Sequence, residues 1–304
     1  MQTVVVDNLS KSYKQAVALK NITFGVDAGE IFGFIGPDGA GKTSLFRILV
    51  TLLLPTEGTA TVLGYDVVKA YKKIRNKVGY MPGKFSLYQD LTVEENLNFF
   101  ATIFSTSIEE NYHLIKDIYS QIEPFKKRRA GALSGGMKQK LALSCALIHK
   151  PEVLFLDEPT TGVDAVSRKE FWEMLKSLKN SGITIIVSTP YMDEASLCDR
   201  VALIQNGNIL KINKPDVITT TFEKKILAIR SSNMHKLLSD LNSYEACDSA
   251  FLFGQTIHYT AKQNNLRMSE LQNYLTGLNH QQVEINPIEA NIEDCFMSLM
   301  NQAS

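Results

Sequence analysis

An eight-residue stretch, Gly36-Pro37-Asp38-Gly39-Ala40-Gly41-Lys42-Thr43, constrains this chain more than any other. It fits Gly-x-x-x-x-Gly-Lys-Thr, the pattern of a phosphate-binding loop. Glu30 to Ile35 before it is an apolar run of strand length, and Thr43 to Val50 after it carries apolar positions at helical spacing. Strand, glycine loop and helix in that order make an anion cradle. Glycines let successive backbone N–H groups turn inward, and a helix N-terminus adds positive potential. Lys42 is placed to reach β- and γ-phosphates, the Thr43 hydroxyl to ligate Mg²⁺, and Ser44 to line the first helical turn.

A second motif completes the first. Leu154-Phe155-Leu156-Asp157-Glu158 reads as a strand buried on both faces that ends in two carboxylates. Asp157 is expected in the Mg²⁺ shell opposite Thr43, and Glu158 to polarise an attacking water as general base. The catalytic pair is therefore Lys42 and Glu158, with Thr43 and Asp157 as metal ligands.

The wider pattern is α/β. Thr3 to Val6, Ile22 to Val26, Gly58 to Leu63, Val78 to Met81 and Ile183 to Val187 read as further strands. From Leu91 to Glu123 the periodicity turns helical, opened by a capping box of Thr92 and Glu95, and a second helix is expected over Ser134 to His149. Near Lys214-Pro215 the character changes to short alternating strands and helices, a small α+β module. The domains predicted are 1–218, with a helical subdomain at about 84–150, and 219–304.

Composition excludes more than it selects. The 304 residues carry 32 basic and 32 acidic side chains, so no global charge points to nucleic acid. The longest apolar stretch, Ile48 to Leu54, is too short to span a bilayer. No basic-then-apolar leader opens the sequence, and Cys145, Cys198, Cys247 and Cys295 lack metal-type spacing, so a cytoplasmic protein with reduced thiols is expected. The five histidines share no metal spacing, and Lys126 to Arg129 reads as a solvated charged face.

Between the two motifs stands Leu133-Ser134-Gly135-Gly136-Met137-Lys138-Gln139. Here the chain resembles the ATP-binding cassette (ABC) ATPases over roughly residues 2–220. The resemblance implies a P-loop cassette: a mainly parallel core sheet, an antiparallel β subdomain and a helical subdomain carrying the signature. It also implies ATP and Mg²⁺ as cofactors. Ser134, Gly135 and Gly136 would contact the γ-phosphate of ATP held by a second cassette, Tyr13 would stack on adenine, and Asp164 would lie in the loop linking two composite sites. The segment from Asn286 to Phe296 resembles the end of cassettes from drug- and antibiotic-resistance exporters. That implies an ATP-hydrolysing exporter subunit, peripheral on the cytoplasmic face of the membrane, with the permease on another chain. Phe85, Leu87 and Tyr88, in a segment expected to be exposed, are the candidate permease contacts, local packing being the other reading. A cassette of the translation or repair type, or a regulatory subunit without turnover, are the alternatives.

This sequence departs from the family pattern at two places that matter. Gly83 stands where the cassette's Q-loop glutamine is expected, and Pro190 where the switch histidine is. Asp38 for Asn and Ala165 for Pro are milder changes. Glycine has no side chain, and proline has neither a side-chain donor nor an N–H. Loss of one preorganised polar contact to a transition state costs ~10²–10³ in rate, so hydrolysis at this loop is expected to be slow. Two arrangements remain open. The chain pairs with a different cassette that its intact signature completes, or it forms a homodimer in which Glu158 suffices.

Overall fold

The computed structural model describes residues 2–83, 87–263 and 268–302. The chain divides into two compact units, Met1–Pro215 and Asp216–Ser304.

The first unit opens with a hairpin of β1 (Gln2–Tyr13) and β2 (Ala16–Asp27), both longer than the sequence pattern suggested. Its turn is only Lys14-Gln15, and the residues on either side are exposed positions at the strand ends. Then come β3 (Ile31–Ile35), α1 (Lys42–Leu49), β4 (Glu57–Val62), β5 (Tyr65–Asp66), the short α2 (Tyr71–Arg75) and β6 (Val78–Met81). β1, β2, β4 and β5 form an antiparallel sheet in the order β2-β1-β4-β5. α3 (Val93–Ile103), α4 (Ile108–Tyr119) and α5 (Gly135–Leu147) make the helical insertion. The Thr92 hydroxyl accepts from Glu95 N while Glu95 accepts from Thr92 N, the capping box the sequence predicts.

The chain then returns through β7 (Val153–Asp157), α6 (Ala165–Asn180), β8 (Thr184–Thr189), β9 (Arg200–Gln205) and β10 (Asn208–Asn213). The central sheet runs β10-β9-β3-β8-β7-β6 and is parallel apart from β10. Every residue of β3, β7 and β8 is buried, as continuous apolar runs between helical layers require. β8 lies between β3 and β7, pairing Thr189 with Ile35 and Ser188 with Asp157. The two motif-bearing strands therefore end side by side although about 120 residues separate them in sequence.

Five phenylalanines fix the helix that follows the glycine loop. Phe46 of α1 meets Phe34 and Phe155 edge-on, each with ring centroids 5.9 Å apart, and Phe32 and Phe24 continue the chain of rings. Leu45, Ile48 and Leu49 are also buried, so α1 cannot shift without opening this core.

The second unit begins within α7 (Pro215–Thr220), at Asp216, where the sequence placed the boundary after residue 218. Its order is β11 (Ile226–Arg230), α8 (Met234–Asn242), β12 (Cys247–Phe253), β13 (Thr256–Ala261), α9 (Met268–Gly277), β14 (Glu284–Ile288) and α10 (Ile292–Gln302). The sheet is antiparallel, β12-β13-β11-β14, which gives a split βαβ arrangement. Leu237 and Leu241 of α8 and Leu271 and Leu275 of α9 pack with Ile229, Ile257 and Tyr259 into a core of its own. Asp294 of α10 binds His258 of β13 at 2.7 Å. Among the described residues no helix is long and apolar enough to cross a membrane.

Candidate functional site

The glycine loop connects β3 to α1. Gly41, the residue before α1, has φ +106°, and a Cβ there would collide with the carbonyl of Ala18, so only glycine suits the position. Lys42, Thr43 and Ser44 are the first three residues of α1, and an α-helix offers its own first N–H groups no partner. Those donors face outward at the end of a buried strand, where an anion is favoured.

The Lys42 ammonium is held by the carbonyls of Gly36 at 2.7 Å and Pro37 at 3.0 Å, and lies 3.2 Å from Glu158 Oε1. Lys42 is 3% exposed and Glu158 23%, so a cation and a carboxylate share one recess. The first and second motifs thus form one site. Glu158 follows β7 with φ +51°, a left-handed conformation uncommon for a residue with a side chain. Its N–H is held by the carbonyl and the hydroxyl of Ser188, each at 3.0 Å.

Asp157 is buried, and its Oδ1 accepts from the Ser188 hydroxyl at 2.7 Å. Ser188 therefore orients both acidic residues, a role the sequence did not suggest. The signal available was a pair of buried hydroxyls, Ser188 and Thr189, ending a strand whose middle is apolar. Mg²⁺ prefers hard oxygen donors, and keeps several positions for phosphate and water. The Thr43 hydroxyl and the second Asp157 oxygen fit that chemistry. Among the described residues no cluster of three or more His, Cys, Asp or Glu side chains could hold a metal alone. Tyr13, exposed at the end of β1, comes within 3.1 Å of Ser44 Oγ through its hydroxyl. The Lys11 ammonium stands 5.3 Å from its ring centroid.

The signature lies elsewhere. Ser134 caps α5, its hydroxyl oxygen accepting from Met137 N at 3.4 Å, and Ser134 and Gly135 are exposed. A Cβ on Gly135 would find only the Gly162 carbonyl at 3.5 Å, but one on Gly136 would stand 2.7 Å from Ser167 Oγ. Gly136 therefore lets α5 approach the start of α6, whereas Gly135 carries no such constraint. Asp164 caps α6 by accepting from Val166 N and Ser167 N at 3.1 and 3.0 Å. The Ser167 N–H bond, first among these contacts, holds the Asp164 carboxyl below the usual range.

Gly83 follows β6 closely against the second motif: a Cβ there would lie 2.9 Å from the Asp157 carbonyl. Pro190 follows Thr189, whose carbonyl accepts from Gly36 N at 3.3 Å, so the switch position borders the glycine loop. Arg168 of α6 reaches into the segment after it. Its guanidinium is 3.5 Å from Asp193, 3.9 Å from buried Glu194 and 5.0 Å from the ring centre of Tyr191. Sequence reasoning missed this tie between the loop of Asp164 and the switch segment.

Of the apolar trio after Gly83, Phe85 lies outside the described residues. Leu87 is buried, which corrects the expectation of exposure, and Tyr88 is exposed but packs edge-on against Phe99 at 4.8 Å. Leu87 lines a mostly apolar cavity of about 260 Å³ with Met81, Phe100, Phe104 and His149. None of the four cysteines is in a disulfide, and burial pushes the thiols of Cys145 and Cys198 up. A larger cavity of about 1200 Å³, between α4 and α6, includes none of the motif residues.

A nucleotide-binding loop joined to a carboxylate-bearing strand, with a capped signature helix on an exposed face, defines a cassette-type ATP-binding protein. Residues 19–161 match the family model described as ABC transporter. In Escherichia coli the chain is 38% identical over 298 residues to "Probable multidrug ABC transporter ATP-binding protein YbhF". That match covers 95% of this chain and 50% of the relative, so the chain spans about half the length of that protein. It is 34% identical over 303 residues to "Nod factor export ATP-binding protein I" of Mesorhizobium japonicum, covering 98% of this chain and 87% of the relative. Among solved structures it is similar to an ATP-binding subunit of an ABC transporter (28% identity, TM-score 0.66, 72% of this chain and 93% of that one). It is also similar to a dimeric ATP-binding cassette in a post-hydrolysis state bound to ADP and Pi (27%, TM-score 0.64, 69% and 98%). The chain belongs to the family of ABC transporter ATP-binding proteins.

Proposed function

We propose that this chain binds Mg-ATP and powers a membrane exporter by closing on a second cassette around the nucleotide. The observation that carries this is the 3.2 Å pairing of Lys42 with Glu158, which brings phosphate binding and water activation into one recess. Lys42, the loop N–H groups and Ser44 hold the phosphates, and Tyr13 flanks the adenine. Thr43 and Asp157 supply the oxygen ligands of Mg²⁺, which neutralises charge developing on the phosphates. Glu158 draws a proton from the attacking water. The exposed Ser134 and Gly135 offer their hydroxyl and N–H donors to ATP on a partner cassette, and Asp164 sets the neighbouring loop. The names of the relatives, multidrug transport and Nod factor export, support export as the direction. The cavity lined by Leu87 and Phe100 is the surface we assign to the permease, with Tyr88 beside it.

Turnover at this chain's own loop is slow, because Gly83 and Pro190 supply no contact to the water or the γ-phosphate. Purified chain is expected to bind ATP firmly and hydrolyse it weakly. Glu158→Gln should preserve ATP binding and lower the residual rate by about 10²-fold or more. Rapid turnover by the purified chain, abolished in that variant, would sink the slow-site reading. Co-purification with a multi-span membrane protein tests the transporter reading. Recovery with ribosomes or DNA instead would replace it.

A further inference from the structure

We infer that the surface formed by α2 and the loop after α1 rests on the headgroups of an anionic membrane leaflet. No acidic residue stands between Asp66 and Asp90, while Lys69, Lys72, Lys73, Arg75 and Lys77 fall inside that interval. Ile74 is the only buried residue of α2, and Lys69, Tyr71, Lys72, Lys73 and Arg75 are all exposed. Lys77 is paired with Glu152 and is left out of the count.

Beside these cations stand apolar side chains that the fold does not use. Leu52 is 58% exposed and Leu54 63%, with Val68 and Tyr71 also exposed. The loop is tied to α2. Arg75 Nε donates to Thr51 Oγ1 and Nη2 to the Thr51 carbonyl, both at 2.8 Å, and its guanidinium lies 5.1 Å from the Tyr71 ring centre. The outcome is a fixed patch of four exposed cations with leucines and a tyrosine among them.

Each half of that composition argues for lipid. A cation near an anionic leaflet strengthens binding about fivefold, and the attraction decays within a Debye length. Exposed leucine and tyrosine gain by entering the headgroup boundary, which a hydrated acidic protein loop or nucleic acid does not offer them. Leu52 and Arg75 stand where the patch meets the cavity assigned to the permease, so Lys69, Lys72, Lys73 and Leu54 are the side chains left to face lipid. The inference rests on the chain working at a membrane, and the test omits the permease so that the two can fail separately.

The full chain is sedimented with vesicles of phosphatidylcholine alone and of equal parts phosphatidylcholine and phosphatidylglycerol. It should bind the anionic vesicles and release as salt is raised. Lys69→Glu with Lys72→Glu should weaken binding by at least about twentyfold, and Leu54→Ser by about fivefold. Unchanged circular dichroism and ATP binding confirm that both variants fold. Equal binding to both vesicle types, or binding indifferent to the lysine changes, overturns the inference. So does loss of nucleic-acid binding, rather than of vesicle binding, in the lysine variant.

Discussion

Three glycines on this chain look alike in sequence and do different things. Gly136 carries a packing constraint, since a methyl there would press on Ser167. Gly136→Ala should cost about 1–3 kcal/mol, as overpacking typically does, and Ser167→Gly should restore most of it in urea unfolding. Gly135 has room for a methyl, so Gly135→Ala should leave stability within about 1 kcal/mol. The same change should reduce ATP-dependent pairing measured by light scattering, because it crowds the donors offered to the partner's phosphate. Gly83 sits against the Asp157 carbonyl. Gly83→Gln should therefore fail to raise turnover and should destabilise by a similar 1–3 kcal/mol or so. A side chain at that position must displace the backbone that carries the Asp157 carboxylate.

At the level of elements, α5 is held from both ends. Its N-terminus is capped by Ser134, and just beyond its C-terminus His149 stacks on Phe104 with ring centroids 3.7 Å apart. His149 Nε2 lies 3.0 Å from the Val78 carbonyl, which can only accept, so Nε2 carries the proton. Burial lowers the His149 pKa below 6.5, with the Val78 bond acting weakly the other way. The sign follows directly. The unfolded chain takes up a proton on this residue at a higher pH than the folded chain does. Stability contributed here is complete above pH 6.5 and is lost as pH falls toward the folded value. Thermal melts between pH 7.5 and 5.5, roughly the span in which free histidine titrates, should show a slope that His149→Gln reduces. Thr92→Ala should cost about 1 kcal/mol by removing the capping box of α3.

For the molecule as a whole, the central fact is a division into two compact units that each bury apolar residues of their own. All of the nucleotide machinery lies in Met1–Pro215, and the aromatic ladder through Phe34, Phe46 and Phe155 holds it in place. A chain ending at Pro215 should stay folded and bind ATP with affinity within about threefold of the full chain, by fluorescence titration. A larger loss would show that the second unit supports the site. The split βαβ unit buries Tyr259 and Ile257 with Leu237 and Leu241 of α8 and Leu271 and Leu275 of α9. Its unfolding should accordingly appear as a transition distinct from that of the first unit, and ATP should shift only the latter.

Spacing and residue type alone determined the phosphate loop, the carboxylate strand, the capping box and the signature. Each is a local pattern whose chemistry needs those residues in that order. The alternation of buried strands with helices likewise made an α/β fold legible, because periodicity reports burial. What sequence could not give was adjacency. Ser188 became the residue that orients Asp157 and Glu158 only when β8 was seen to lie between β3 and β7. Arg168 and Glu194 met because α6 crosses the segment after Pro190. Gly136 acquired its packing constraint from the Ser167 side chain and Gly83 from the Asp157 backbone, and Leu87 turned out buried beside Met81, Phe100 and Phe104. Motifs are local and survive on one strand of text. The contacts that position them join residues tens to more than a hundred places apart, and only the folded chain decides which those are.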